Sequence, residues 1–231
     1  MPRFRSFFAT AAIISTVAIS PFTVRPLSAE EKDLDRLTEA AAVFSEIMEA
    51  PDKGIPTDLL RDAHAIAVIP DMVKAGLVFG GRRGEGLISV KGADGTWSNP
   101  SFVTLTGGSV GFQAGISSTD VILVFRTQRG VDSIVNGKFT LGADASAAAG
   151  PVGRTATAAT DSQMKAEIYS YSRSRGLFAG VSLAGSTIRA DRDANERIYG
   201  VGYSTRNIVM ERKVEPTAAA EAWLKLLNEK M

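Results

Sequence analysis

Between Lys74 and Gly115 the chain runs KAGLVFGGRRGEGLISVKGADGTWSNPSFVTLTGGSVGFQAG, and this stretch constrains the fold more than any other. Short apolar segments, Leu77–Phe79, Leu87–Val90, Phe102–Leu105 and Val110–Phe112, are separated by glycine clusters and by one Asp94-Gly95 pair. Asp-Gly accepts the positive φ values of a tight hairpin, so the pattern predicts successive short antiparallel strands. Residues suited to acid–base or metal chemistry are scarce within it. The block therefore points to a structural or binding surface ahead of an enzyme.

Helices are expected on either side. From Glu31 to Ala50 the residues Leu34, Leu37, Ala41, Phe44 and Met48 recur at spacings of three and four, which places one apolar stripe on a helix ended by Pro51 and Gly54. Thr57 and Asp58 suit the start of a second, short helix. Ala65–Ile69 reads as a buried strand closed by Pro70, and Val121–Phe125 as the most hydrophobic strand. Val131–Asn136 reads as a helical turn ended by Gly137. The small-residue run Gly142–Asp161 has a linker-like composition, but small residues also let backbones pack closely in strands. Ile168–Tyr171 and Leu177–Ile188 continue as strands, Asp191–Tyr199 as a polar helix and Thr217–Lys230 as an amphipathic C-terminal helix carrying Trp223, Leu226 and Leu227.

The first 29 residues have the grammar of a secretory signal. Arg3 and Arg5 precede the uncharged apolar run Phe7–Ile19, and Leu27-Ser28-Ala29 offers a small-residue cleavage site. Retention as a membrane anchor is the competing reading of Ser6–Val24, which lies near the lower length limit for a span. The expected product is an exported, periplasmic or extracellular chain cleaved after Ala29. It has no cysteine, so neither disulfides nor acylation at the cleavage site can contribute. Without the leader the charge is 23 basic against 25 acidic residues, a net of −2, which argues against nucleic acid as a partner.

Few motifs suggest chemistry. Gly107-Gly108-Ser109-Val110-Gly111 has the spacing of a hydrolase nucleophile elbow, but the sole histidine, His64, comes earlier and the context reads as strand. A chymotrypsin-like order of His64, Asp94 and Ser109 is formally permitted, but the context favours a glycine-rich hairpin corner. His64 has no neighbouring ligand, so no metal is expected, and neither is a cofactor. Arg82 and Arg83, placed here on a glycine-rich turn between two strands, are the only adjacent arginines. With Lys74 and Lys91 on the flanking segments, they form the candidate phosphate-contacting set, because guanidinium forks bind phosphate oxygens in pairs. Asp144, Gly150, Pro151, Arg154 and Asp161 fit a tight turn without a ligand. Tyr169, Tyr171 and Tyr199 suit either an apolar groove or the core.

Several long segments occur in the order of one known family: AIAVIPDMVKAGLVFGGRRGEG, GTWSNPSFVTLTGGSVGFQAG, TLGADASAAAGPVGRTATAATD, IYSYSRSRGLFAGVSLAGSTI and ANERIYG. Together they resemble the SYLF family, a lipid-binding domain of yeast actin-patch proteins and animal phosphoinositide-binding adaptors with many bacterial members, and the export signal suggests one of the latter. The resemblance implies a non-enzymatic protein of the cell envelope that binds a phospholipid or a membrane surface. It also leaves open a scaffold with an unidentified protein partner, and behind that a serine hydrolase. Glu30–Asp62 carries ten acids against four bases, so its helix is not expected to engage anionic lipids. The expected architecture is α+β: residues 30–231 as a single domain, with a curved, glycine-rich antiparallel β-sheet system flanked by N- and C-terminal helices.

Overall fold

A computed structural model describes residues 27–49, 55–76, 79–110, 115–151, 165–174 and 177–231. Most of the expected leader, together with Leu77, Phe112, Arg154 and Asp161, lies outside the described residues. Among the described residues nine strands form one curled sheet: β1 (Ala65–Gly76), β2 (Phe79–Val90), β3 (Ser101–Val110), β4 (Gly115–Phe125), β5 (Lys138–Thr140), β6 (Ala147–Ala149), β7 (Ile168–Ser174), β8 (Leu177–Gly180) and β9 (Thr187–Ala190). The order across the sheet is β5-β9-β3-β2-β1-β4-β7-β6, and β8 takes the rest of the outer edge of β7. Every pairing is antiparallel except β6 with β7. Helices α1 (Ala29–Glu49), α2 (Thr57–Arg61), α3 (Gln128–Val135), α4 (Arg192–Tyr199), α5 (Thr205–Val209) and α6 (Ala218–Lys230) complete it. The α+β architecture with flanking terminal helices is thus the one expected, with a single parallel pairing added.

Strand alternation divides the apolar residues between two cores. Ile66, Val68, Leu87, Phe102, Ile122, Val124, Tyr169 and Tyr171 face α1, α2 and α6. Ala65, Ala67, Ile69, Ile88, Val103, Leu105, Val121, Leu123 and Phe125 face α3, α5 and the curled edge formed by Phe139 and Ile188. This explains why Ala65–Pro70 and Val121–Phe125 are buried without interruption: both faces of those strands are covered. Tyr169 and Tyr171 belong to the helix-side core, and Tyr199 packs against it, which resolves the groove-or-core question in favour of the core.

The stripe on α1 is turned by about one position from the expected one. Leu37, Ala40, Val43, Phe44 and Ile47 are buried, whereas Leu34, Ala41 and Met48 are only partly covered. The cause is electrostatic as well as steric, since α1 also brings Asp33 into the interior. Asp33 accepts from Arg197 Nε at 2.6 Å and lies 3.3 Å from Arg36. At the other end of the helix Phe44 meets Trp223 of α6 edge-on, with ring centroids 5.7 Å apart. The Trp223 indole donates to Ser89 Oγ at 2.8 Å, so α6 is fixed to β2 through a satisfied buried donor.

Two features of the glycine-rich block depart from the sequence expectation. Pro70 does not close β1. It sits at a bulge, with Asp71 at φ 45°, and the strand continues to Gly76. The expected turn at Gly81–Gly84 is the middle of β2, paired with β1 on one side and β3 on the other. The glycines serve close approach instead of chain reversal. A β-carbon on Gly86 would overlap the Val68 carbonyl, and one on Gly84 would overlap the Ile69 side chain. Asp94-Gly95 does form the expected turn, with Gly95 at φ 80°. Gly86→Ala is expected to destabilise the protein by about 2 kcal/mol, the scale of overpacking a filled site. Gly108→Ala, whose β-carbon would meet nothing, should stay within about 0.5 kcal/mol of wild type. Urea denaturation of the two variants checks the contrast.

Candidate functional site

Past the Asp71 bulge the outer halves of β1 and β2 extend beneath the first turns of α1 without filling the space between. A groove of about 740 Å³ results. Its sheet side carries Pro70, Asp71, Val73, Ala75 and Arg83, and its helix side Lys32, Asp35, Arg36 and Glu39, with Leu27 just before the helix. Val73 is 43% exposed and Leu27 52%. Ala75 pairs with Ile116 of β4, which continues the same face outward and is 81% exposed. Directly opposed residues of an antiparallel pair share a face, so Val73, Ala75 and Ile116 form an exposed apolar strip running away from the groove.

The groove rim is electrostatically divided. Arg36 is committed: its Nη2 donates to Glu85 at 2.9 Å, its Nη1 donates to Asp191 at 2.9 Å, and its guanidinium lies 5.3 Å from the centroid of the Phe102 ring. Arg83 donates to Glu85 at 2.9 Å but is itself exposed. Burial, then the neighbouring Asp71, Asp35 and Asp120 carboxylates, raise the pKa of Glu39 above its ordinary value, with Arg36 acting in the opposite sense. The inner end of the groove therefore repels added negative charge, while its outer end is apolar.

The four cations singled out from the sequence do not converge. All of Gly81–Gly84 borders the groove, but residues on β2 alternate between faces, so the Arg83 side chain faces it while the Arg82 side chain turns to the opposite face. There Arg82 donates from Nη2 to the Gly108 carbonyl at 3.0 Å and reaches toward the Ser182 carbonyl. Lys74 is directly opposite Arg82 in the β1–β2 register and shares its face. Lys91 lies past the other end of β2, eight residues from Arg83 and so roughly 25 Å away along the strand. Its Nζ donates to the Arg61 carbonyl at 3.0 Å and lies 5.7 Å from the centroid of the Trp97 ring. Two guanidinium forks on one phosphate, as imagined for a turn, require both side chains on one face. An extended strand separates them.

The hydrolase arrangement is likewise dispersed. Ser109 lies within β3, opposite Gly80 near the overhanging end of the sheet, whereas His64 precedes β1 at the other end. Gly76 pairs with Gly80, and twelve residues separate it from His64, a strand distance of roughly 30–40 Å. No group of three or more metal-ligating side chains occurs among the described residues. Ser109→Ala and His64→Gln are expected to leave ester hydrolysis by the purified protein at the level of wild type.

The segment ANERIYG is structural. The Asn195 amide accepts from Phe102 N at 2.9 Å and donates to Phe102 O at 3.3 Å, satisfying a buried peptide of β3. Arg197 holds Asp33, and the Tyr199 hydroxyl donates to Pro100 O at 2.6 Å. Gly150 lies flat on the Tyr171 ring, and Asp144 accepts from Thr140 N at 2.6 Å to close a turn. Sequence reasoning missed the helix side of the groove altogether. Its acids and Lys32 look like an ordinary solvated helix face until the β1–β2 overhang is placed beneath them.

Comparison with known proteins agrees with this framework. A family model described as "Ysc84: Las17-binding protein actin regulator" matches residues 106–230. The LAS seventeen-binding protein 3 of Saccharomyces cerevisiae is 36% identical over 209 residues, which is 89% of this chain and 45% of the yeast protein. Protein YSC84 of the same yeast is 34% identical over 209 residues, 89% of this chain and 44% of its own length. The human SH3 domain-containing YSC84-like protein 1 is 31% identical over 191 residues, 80% of this chain and 56% of the human protein. The chain belongs to the Ysc84 (SYLF) family. It spans about half the length of these relatives; the first is named as a binding protein, and the family description speaks of binding and regulation.

The divided groove rim makes a pH prediction. The folded state holds the Glu39 proton more tightly than the unfolded chain. The resulting stabilisation is complete below the ordinary Glu value, about 4.3, and lost as pH rises through the raised folded value. Glu39→Gln should therefore be more stable than wild type at neutral pH, and the difference should shrink as the pH falls through the raised folded value towards the ordinary Glu value. Thermal melts across that range measure it.

Proposed function

We propose that this protein is a non-enzymatic phospholipid-binding protein of the cell envelope that meets its lipid at the α1/β1–β2 groove. The observation that carries the reading is the exposed apolar strip of Val73, Ala75 and Ile116, which leads out of a groove of small-molecule size. Acyl chains lie along the strip, and Arg83 and Lys32 at the rim face the phosphate. Of the candidate set, Arg83 presents its guanidinium to the groove; Arg82 borders it but spends its guanidinium on the Gly108 and Ser182 carbonyls, and Lys74 and Lys91 lie away from it. No helix among the described residues is long and apolar enough to cross a membrane.

Export belongs to the same proposal, with the leader removed after Ala29. Ser28 and Glu31 cap α1 reciprocally: Ser28 N donates to Glu31 Oε2 at 2.6 Å, and Glu31 N to Ser28 Oγ at 3.1 Å. Cleavage after Ala29 takes away Ser28 and, with it, roughly 1 kcal/mol of helix capping. It also removes Leu27 and opens the groove margin. Intact mass of the secreted protein should correspond to a chain beginning at Glu30, and a product retaining residues 1–29 in membrane fractions would refute the processing.

A second reading, a scaffold for a protein partner, is supported by the yeast relative's name as a LAS seventeen-binding protein. Sedimentation with liposomes separates the two. The lipid reading expects wild type to pellet with phospholipid vesicles, Val73→Asp/Ile116→Asp to lose at least about tenfold in binding, and Arg83→Gln to lose less. Burying a charge in an apolar contact is far costlier than losing one exposed headgroup contact. Mass spectrometry should find phospholipid copurifying with wild type and depleted in the double variant. Unchanged binding by that variant, or none by wild type, favours the partner reading.

A further inference from the structure

Across the helix-side face of the sheet, outward from the groove, the pairing registers align two rows of side chains. One runs Glu85, Thr104, Arg189, Lys138, and the other Arg83, Thr106, Thr187, Thr140. Arg189 and Lys138 are therefore directly opposed across an antiparallel pair, an arrangement that is destabilising for like charges. Neither forms an ion pair or side-chain hydrogen bond with another described residue, and the same holds for Arg192 at the start of α4. The carboxylate within the row, Glu85, is occupied by Arg36 and Arg83.

These three cations border a hollow of about 580 Å³ closed by Gly137, Gly202, Tyr203 and Ser204. A smaller hollow of about 340 Å³ shares Arg189 and Arg192 and adds Arg83, Thr104 and Thr106. Arg206 stands at the margin, its Nη2 donating to Asn136 Oδ1 at 3.0 Å. The carboxylates on the two linings are Asp191, Asp193 and Glu196. Asp191 is spent on Arg36 and on the α4 cap, where it accepts from Ala194 N at 3.2 Å. Lys138, Arg189 and Arg192, with Arg206 just beyond, thus stand against Asp193 and Glu196, and Thr104, Thr140 and Thr187 flank the Lys138–Arg189 pair.

We propose that this strip binds a phosphate-bearing anion, with Arg189 and Lys138 as its principal contacts. A phosphate between them replaces like-charge repulsion with two charge-assisted interactions and accepts further hydrogen bonds from Thr104 and Thr187. The phosphate is carried either by a soluble phosphate compound or by the headgroup of a lipid. Arg83 borders both the groove and the smaller hollow, so a headgroup here is continuous with a chain lying in the groove. The strip does not depend on that continuity.

The test uses the full chain and two probes: inorganic pyrophosphate by isothermal titration calorimetry, and vesicles of equimolar phosphatidylcholine and phosphatidylglycerol by sedimentation. Lys138→Gln/Arg189→Gln should weaken binding at least about tenfold, as expected for the loss of two charged contacts. Lys74→Gln/Lys225→Gln removes the same charge from other surfaces and should leave affinity within about twofold. All four positions are exposed, and matching melting temperatures verify folding. Strip-dependent pyrophosphate binding without strip-dependent vesicle binding identifies a soluble ligand. Strip-dependent vesicle binding that pyrophosphate competes away identifies a headgroup. Equal losses in the two double variants, or no binding of either probe by wild type, overturn the proposal. Val73→Asp/Ile116→Asp should keep its pyrophosphate affinity, so failure of the groove reading is seen separately from failure of the strip.

Discussion

The architecture depends on the close approach of β1 to β2 at the bulge. At the bulge, where Asp71 has a positive φ, the Val68–Ile69 backbone lies over Gly86 and the Ile69 and Met72 side chains lie over Gly84, so that side chains other than hydrogen do not fit. Two groups hold the bulge in place: the Asp71 N–H donates to Asp120 Oδ1, and Ser118 Oγ donates to Asp71 Oδ1. Bulges bend and twist a strand, and here the bend separates a doubly covered half of the sheet from an overhang. Everything exposed and apolar on the groove strip lies on the overhang side. Without the bulge the outer halves of β1 and β2 would continue straight, and the groove under α1 would have no floor.

Position along the sheet is set by the bulge, while position across it is set by buried polar ties. Asp33, 1% exposed, joins α1 to α4 through Arg197, and Arg36 extends the connection to β2 and to the α4 cap. Breaking one partner of a buried ion pair leaves an uncompensated charge, so these contacts specify register even where their net stabilisation is small. Asn195 does similar work on β3, using three hydrogen bonds to satisfy Phe102 and Ser101. The segment ANERIYG is thus accounted for by assembly alone. Its residues hold α4 against β3 and α1, and none of them needs a ligand.

Much of the fold was legible because its determinants are local. The period of α1, the Asp94-Gly95 turn, the apolar run of β4 and the capped C-terminal helix each follow from neighbours within a few residues. What could not be read was the meaning of glycine. Gly81, Gly84 and Gly86 carry the same composition whether they turn a chain or admit a neighbouring strand, and only the position of β1 decides. Pro70 misled for the same reason, since proline ends a central strand but is accommodated at a bulge. The candidate cations diverge for a different reason. Adjacency in sequence suggested that Arg82 and Arg83 act together, yet adjacency in a strand is what places them on opposite faces.

That alternation also accounts for how the charges are distributed. Lys138 and Arg189 are 51 positions apart in the chain, and each sits beside a core residue, Phe139 or Ile188, that fixes which way it faces. Once Phe139 and Ile188 are buried, both cations must emerge on the same side of a short β5–β9 pair, whatever their mutual repulsion. The acids that offset charge elsewhere on this face are already drawn toward α1 by Arg36. The basic strip is therefore a by-product of two independent demands, core burial at the sheet edge and ion pairing at its centre. A surface of that origin leaves positive charge outside the groove, whose interior carboxylates repel an anion. The chemistry of the face is thus ordered from the apolar strip, through Arg83, to the cations at the edge.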